Sequence, residues 1–178
     1  MNTVSNDRWL TMLAGYASHH QHPTNAVMHI IGVPFIMLGM FVPMSAWAIP
    51  IAGVSVSVAD IVLLGLFLFY LRLDVVCALA FAAYAVLVLA LAKIILTLPF
   101  TTAALISAVC FFGGYALQFW GHAIEGRAPV LVKHPIQANV SAPLFITVEV
   151  FKFLGLRENM FKAMDAKVAE LSGDDSTA

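Results

Sequence analysis

Charge is what this sequence has least of. Asp, Glu, Lys and Arg together make up 11% of 178 residues, where soluble domains carry about 25%. Nine basic residues stand against ten acidic ones. The basic ones form no continuous patch, so nucleic acid is not an expected partner. Cysteine is scarce too: Cys77 and Cys110 both sit inside apolar runs with no CxxC spacing, which argues against a disulfide framework. A secretory signal is also not expected. The head, Met1 to Leu10, is polar, carries Asp7 and Arg8, and is followed by no short apolar core with a small-residue cleavage site. No internal repeat is found.

Apolar residues fill the space these absences leave. Hydrophobic side chains make up 61% of the chain and the mean hydropathy is +0.92, a composition that points to a bilayer protein. The expected class is an all-α integral membrane protein forming a single domain over 1–178. About four spans are expected, over 26–46, 51–71, 75–98 and 102–120, each approaching the ~20 residues that cross ~30 Å of hydrocarbon. The second is the weakest, because Ser55, Ser57 and Asp60 dilute its first half. Lys93 lies near enough to the end of the third to snorkel.

Two further helices flank the spans. Trp9, Met12, Leu13 and Tyr16 recur at helical spacing within 7–20, which predicts an N-terminal amphipathic helix. Pro23 should end it, with Thr24 or Asn25 capping the next. Residues 137–156 are half apolar and carry Pro143, Glu149 and Lys152, which predicts an interfacial or re-entrant helix rather than a fifth span. Basic residues place both termini and the 71–74 turn on the cytoplasmic side by the positive-inside rule. Arg72 and Asp74 in that turn read as a local ion pair or as headgroup contacts.

With that topology all six histidines gather at one membrane face. His19, His20, His22 and His29 surround the start of the first span, and His122 and His134 follow the fourth. Imidazole is the commonest metal ligand, and ionisable groups at the depth of His29 usually face the protein interior. Asn25 and His29 are four apart on a helix, and His122 and Glu125 three apart, so each pair shares a face. Glu125 could then accept the second ring N–H of a ligating histidine or act as a ligand. Nitrogen and oxygen donors with open positions suit iron, zinc or copper; residue chemistry alone does not choose among them. Glu149 reads equally as a site residue or as the polar face of an interfacial helix.

The ordered set Tyr16, His20, Asn25, His29, Gly32 and Pro34 resembles the opening motif of the fungal 2-hydroxy fatty acid dioxygenases and their bacterial membrane-protein relatives. A second block, Gln118-Phe119 then Gly121-His122 with Glu125, Arg127 and Pro129, also resembles that family, and Ala142-Pro143 with Phe145 and Glu149 gives a weaker third. The resemblance implies an Fe(II) enzyme of fatty acid α-oxidation, taking a long-chain 2-hydroxy fatty acid and O2 to the acid one carbon shorter. It implies His20, His29 and His122 as iron ligands, with Tyr16, Asn25 and Glu125 supporting them or orienting substrate. It gives no role to His19, His22 or His134. The protein would sit in a bacterial inner membrane, or in the endoplasmic reticulum if eukaryotic, with its active site cytoplasmic.

Competing classes make different demands. A di-iron hydroxylase or desaturase would want about eight histidines in HxxxH and HxxHH boxes; here there are six and no HxxxH pair. A non-enzymatic lipid-binding or transport protein would carry polar residues near the middle of its spans, and these spans are almost bare.

Overall fold

The computed structural model describes residues 10–11, 13–15, 17, 22–133 and 135–174. Helix α1, Pro23–Ala46, begins with proline at its first helical position, where the missing N–H would have had no partner in any case. That moves the cap two or three residues earlier than the sequence suggested. His22, not Thr24 or Asn25, closes the helix: its Nδ1 accepts the Thr24 N–H at 3.2 Å and its carbonyl accepts the Ala26 N–H at 3.2 Å.

Beyond α1 the chain departs from the expected 51–71 span. Strands β1 (Ala48–Ile51) and β2 (Val54–Ser57) form an antiparallel hairpin, with Ile49 opposite Val56 and Ile51 opposite Val54. Ala52 and Gly53 both take positive φ, the geometry that suits a two-residue hairpin turn. Val54-Ser55-Val56-Ser57 alternates with a period of two, which is the strand period. Helix α2 therefore starts only at Val58 and ends at Leu71. Asp60, a diluting charge in the sequence reading, belongs to a capping box: the Asp60 N–H donates to Ser57 Oγ at 3.3 Å and the Ser57 N–H to the Asp60 carboxylate at 2.8 Å. At 14 residues α2 is about 21 Å long, short of the ~30 Å of hydrocarbon.

Asp74 caps helix α3, Val75–Ile95, by accepting the Cys77 N–H at 2.9 Å. The carboxylate is thus engaged with the backbone of its own helix. Helix α4, Phe100–Glu125, runs five residues past the expected end of the fourth span and takes His122 and Glu125 into its last turn. A short α5 (Val130–Lys133) leads to α6 (Pro135–Phe153) and α7 (Glu158–Asp174). The last two are bent by 120° at their junction. Helices α1, α3 and α4 are long and apolar enough to cross a membrane.

Two compact units are present, and their boundary falls within α1 and within α4. In the unit spanning Ile31–Gln118, α2 packs on α3. Ala78, Ala85 and Ala92, seven apart, are buried, and Tyr70 meets Phe81 edge to face with centroids 4.7 Å apart. Lys93, expected to snorkel, pairs with Asp60 at 2.8 Å. In the same unit α1 and α4 meet backbone to backbone. A Cβ on Gly39 would lie 2.6 Å from the Phe111 nitrogen, and one on Gly114 2.7 Å from the Gly32 carbonyl oxygen. Such small-residue seams are the membrane mode of close helix packing. Leu64, Leu68, Val86, Leu87, Ile94, Leu105 and Val109 are exposed, an apolar surface far more extensive than a soluble monomer presents.

The other unit comprises the described residues up to Ile30 and from Phe119 onward. Here α6 is buried without interruption from Ser141 to Val148. Helix α7 is amphipathic, burying Met160, Phe161 and Met164 while Glu158, Lys162 and Asp165 face outward.

Candidate functional site

The N-terminal turns of α1 and the last turn of α4 meet within one unit. On α1, Asn25 and His29 share a face at the i, i+4 spacing, and both are buried, at 0% and 1% exposure. His29 Nδ1 lies 3.0 Å from the Asn25 carbonyl oxygen. A carbonyl only accepts, so Nδ1 carries the proton and the Nε2 lone pair is left to bind something else. A backbone carbonyl commonly sets the tautomer of a metal-binding histidine in this way.

Helix α4 supplies the opposing groups. His122 is 4% exposed, and its ring stands edge to face with that of His29, centroids 5.0 Å apart and planes at 87°. Asn25 Nδ2 donates to Glu125 Oε2, a bond between residues 100 apart in the chain. Gly121 makes this approach possible. A Cβ there would collide with Asn25 Oδ1 and lie 3.2 Å from the Asn25 Cα and Cγ.

The turn holding His122 and Glu125 ends in a Schellman motif. Gly126 takes φ +73°, the Arg127 N–H bonds the His122 carbonyl at 3.3 Å, and the Gly126 N–H bonds the Ala123 carbonyl at 3.3 Å. A residue at positive φ in this position is the usual reason for glycine after a helix.

Of the six candidate site residues, Asn25, His29, His122 and Glu125 are brought together, while Tyr16 and His20 lie outside the described residues. His19 and His134 lie outside them as well. His22 is exposed and caps α1. Among the described residues no group of three or more His, Cys, Asp and Glu side chains is disposed to hold a metal ion. The donors that do converge nevertheless suit an imidazole-ligated divalent metal. Two buried rings face each other, one with its tautomer set by the backbone, beside a carboxylate held by an amide.

Glu149, on α6, is half-buried, and burial pushes its carboxyl above the ordinary 4.5, with Lys152 opposing and Asp165 adding to the shift. Sequence reasoning gave no role to Gly121 and Gly126 and misplaced the α1 cap. The cap had a signal, since proline at a helix start points to the residue before it. Gly121 stood in the second motif block, but its packing against Asn25 had no signal, because a close approach between distant segments leaves no local trace.

Comparison with known proteins agrees with the motif reading. A family model described as 2-hydroxy-palmitic acid dioxygenase Mpo1-like matches residues 8–154. No curated protein and no solved structure matches the chain.

Proposed function

The chain belongs to the Mpo1-like family, and we propose that it is an Fe(II)-dependent dioxygenase of fatty acid α-oxidation. The family is named for a 2-hydroxy-palmitic acid dioxygenase. The reaction we assign is R–CHOH–COOH + O2 → R–COOH + CO2 + H2O. It balances without an external reductant, because the substrate supplies all four electrons. The observation that carries the reading is the buried edge-to-face pair of His29 and His122, tied together through Asn25 and Glu125.

In this reading His29 and His122 hold the metal, with His20 as the third imidazole. Bound Fe(II) supplies Lewis acidity and oxygen activation. The Asn25 carbonyl keeps the proton of His29 on Nδ1 and its Nε2 lone pair exposed to the site. The Asn25 amide fixes the Glu125 carboxylate, which with Tyr16 orients the polar head of a long-chain 2-hydroxy fatty acid. Burial of both rings keeps bulk water away from the reacting carbon. The acyl tail lies among apolar helices, where each buried methylene contributes about 0.8 kcal/mol and long chains are favoured.

The chain forms a single membrane-embedded domain in this proposal, with α6 interfacial and both termini and the site at the cytoplasmic face of a bacterial inner membrane or endoplasmic reticulum. The test is direct. Detergent-purified protein supplied with Fe(II), O2 and 2-hydroxypalmitate should yield pentadecanoate and CO2. His20→Ala, His29→Ala and His122→Ala should each lose both bound iron and product. Full turnover in the His122 variant would sink the three-imidazole arrangement.

A further inference from the structure

A cavity of about 570 Å³ lies between the C-terminal half of α1 and the N-terminal half of α4, inside the Ile31–Gln118 unit. That is a size typical of small-molecule sites. Met40, Met44, Trp47, Phe100, Ala108 and Phe112 line it, and no charged residue does. Ser107 is the one hydroxyl in the lining, and it donates to the Gly39 carbonyl at 2.6 Å. The cavity is an open groove rather than a closed void, and a polar solute would find no charged side chain in it.

The shape of the cavity narrows the choice of occupant. At Gly39 the α1 backbone presses on Phe111, so the cavity ends there rather than continuing along the seam toward Gly32 and Gly114. At the other end Trp47 and Phe100 are 77% and 88% exposed, an aromatic mouth of the kind found where helices leave the hydrocarbon. Met40 and Met44 give a flexible lining that adapts to an irregular chain. No charged residue is among the lining, so a charged head has no partner inside the groove, which favours a ligand whose head stays outside.

We propose that this cavity is a lipid site that takes one acyl chain of a bilayer phospholipid, whose headgroup remains at the interface beside Trp47. The proposal rests on the membrane placement of α1 and α4, and it adds a hydrocarbon site to the substrate site at the histidines. The occupied cavity would complete the packing of α1 on α4 at the end where their side chains leave a gap.

The experiment uses the full chain in detergent with Trp9→Phe and Trp120→Phe, leaving Trp47 as the only tryptophan. Phosphatidylcholine carrying a 9,10-dibromostearoyl chain is titrated in and Trp47 fluorescence is followed. Quenching should saturate near one equivalent. Ala108→Phe, which fills the cavity, should abolish the saturable phase while leaving the circular dichroism spectrum unchanged. Ala104→Leu serves the same purpose if the first variant does not fold. Quenching that rises without saturation, or saturates equally in the filled variants, would overturn the proposal. So would saturation by free 9,10-dibromostearate where the phospholipid gives none. Turnover is not read, so failure of the dioxygenase assignment would leave this result standing.

Discussion

Replacing Gly121 with alanine is the sharpest perturbation of the histidine pair that leaves every imidazole in place. The new Cβ would overlap Asn25 Oδ1 and stand 3.2 Å from the Asn25 Cα and Cγ. The Cα belongs to the α1 backbone and yields little, so the amide must rotate away and release Glu125. Overpacking costs about 1–3 kcal/mol, and leaving a buried hydrogen-bonding partner unsatisfied about 1–3 kcal/mol more. Against that, alanine is a better helix former than glycine by about 1 kcal/mol. A net loss of about 3 kcal/mol lowers the thermal midpoint of a chain this size by about 6–12 °C. The assay is a thermal melt in detergent, run beside Fe(II) binding. Adding Asn25→Ala removes the clashing amide, so the double variant should recover part of the loss, with a coupling of about 1 kcal/mol or more between the two sites. A Gly121→Ala protein that melts with wild type, or costs that simply add in the double variant, would refute the steric argument.

Three further outcomes follow from the same structure. Gly126→Ala forces a side chain onto a residue at φ +73° and should cost about 1–2 kcal/mol, read as a lower thermal midpoint together with weaker Fe(II) binding. Lys93→Met removes the partner of Asp60 across α2 and α3; for a partly exposed pair the loss should be about 1 kcal/mol or less, and the Asp60→Asn/Lys93→Met double variant should melt closer to wild type than Lys93→Met does. Glu149→Gln tests the buried carboxyl on α6. Its folded pKa is raised by burial, with Lys152 opposing and Asp165 adding, so the stability it contributes is complete below the unfolded value near 4.5 and lost as pH rises through the folded one. The glutamine variant should therefore melt above wild type at about pH 7, with the gap closing by about pH 4.

Much of this fold was legible because apolar length is a strong signal. The long runs of α1, α3 and α4 exclude almost every alternative. The second span was read too long, because hydropathy does not separate a β-branched hairpin from the start of a helix, and Val54-Ser55-Val56-Ser57 carries its information in alternation. The partnership of His29 with His122 followed from motif order and topology together. The Asn25–Glu125 bond did not, since i, i+4 and i, i+3 spacings tie each residue only to its own helix. Lys93 illustrates the same limit: its position suggested snorkelling, and only the packing of α2 on α3 revealed Asp60 as its partner.

The way the histidine pair is built also orders its formation in time. His29 is oriented by a carbonyl four residues away, and His122 sits in a turn closed by bonds spanning at most five residues. Each half is therefore prepared locally, soon after its own helix forms. The Asn25–Glu125 bond, 100 residues long in sequence, is the late event. On this ordering the first imidazole would be oriented before the end of α4 is made. A nascent chain stopped before Gly121 has His29 without His122 or Glu125, so in the proposed site metal loading would follow completion of α4.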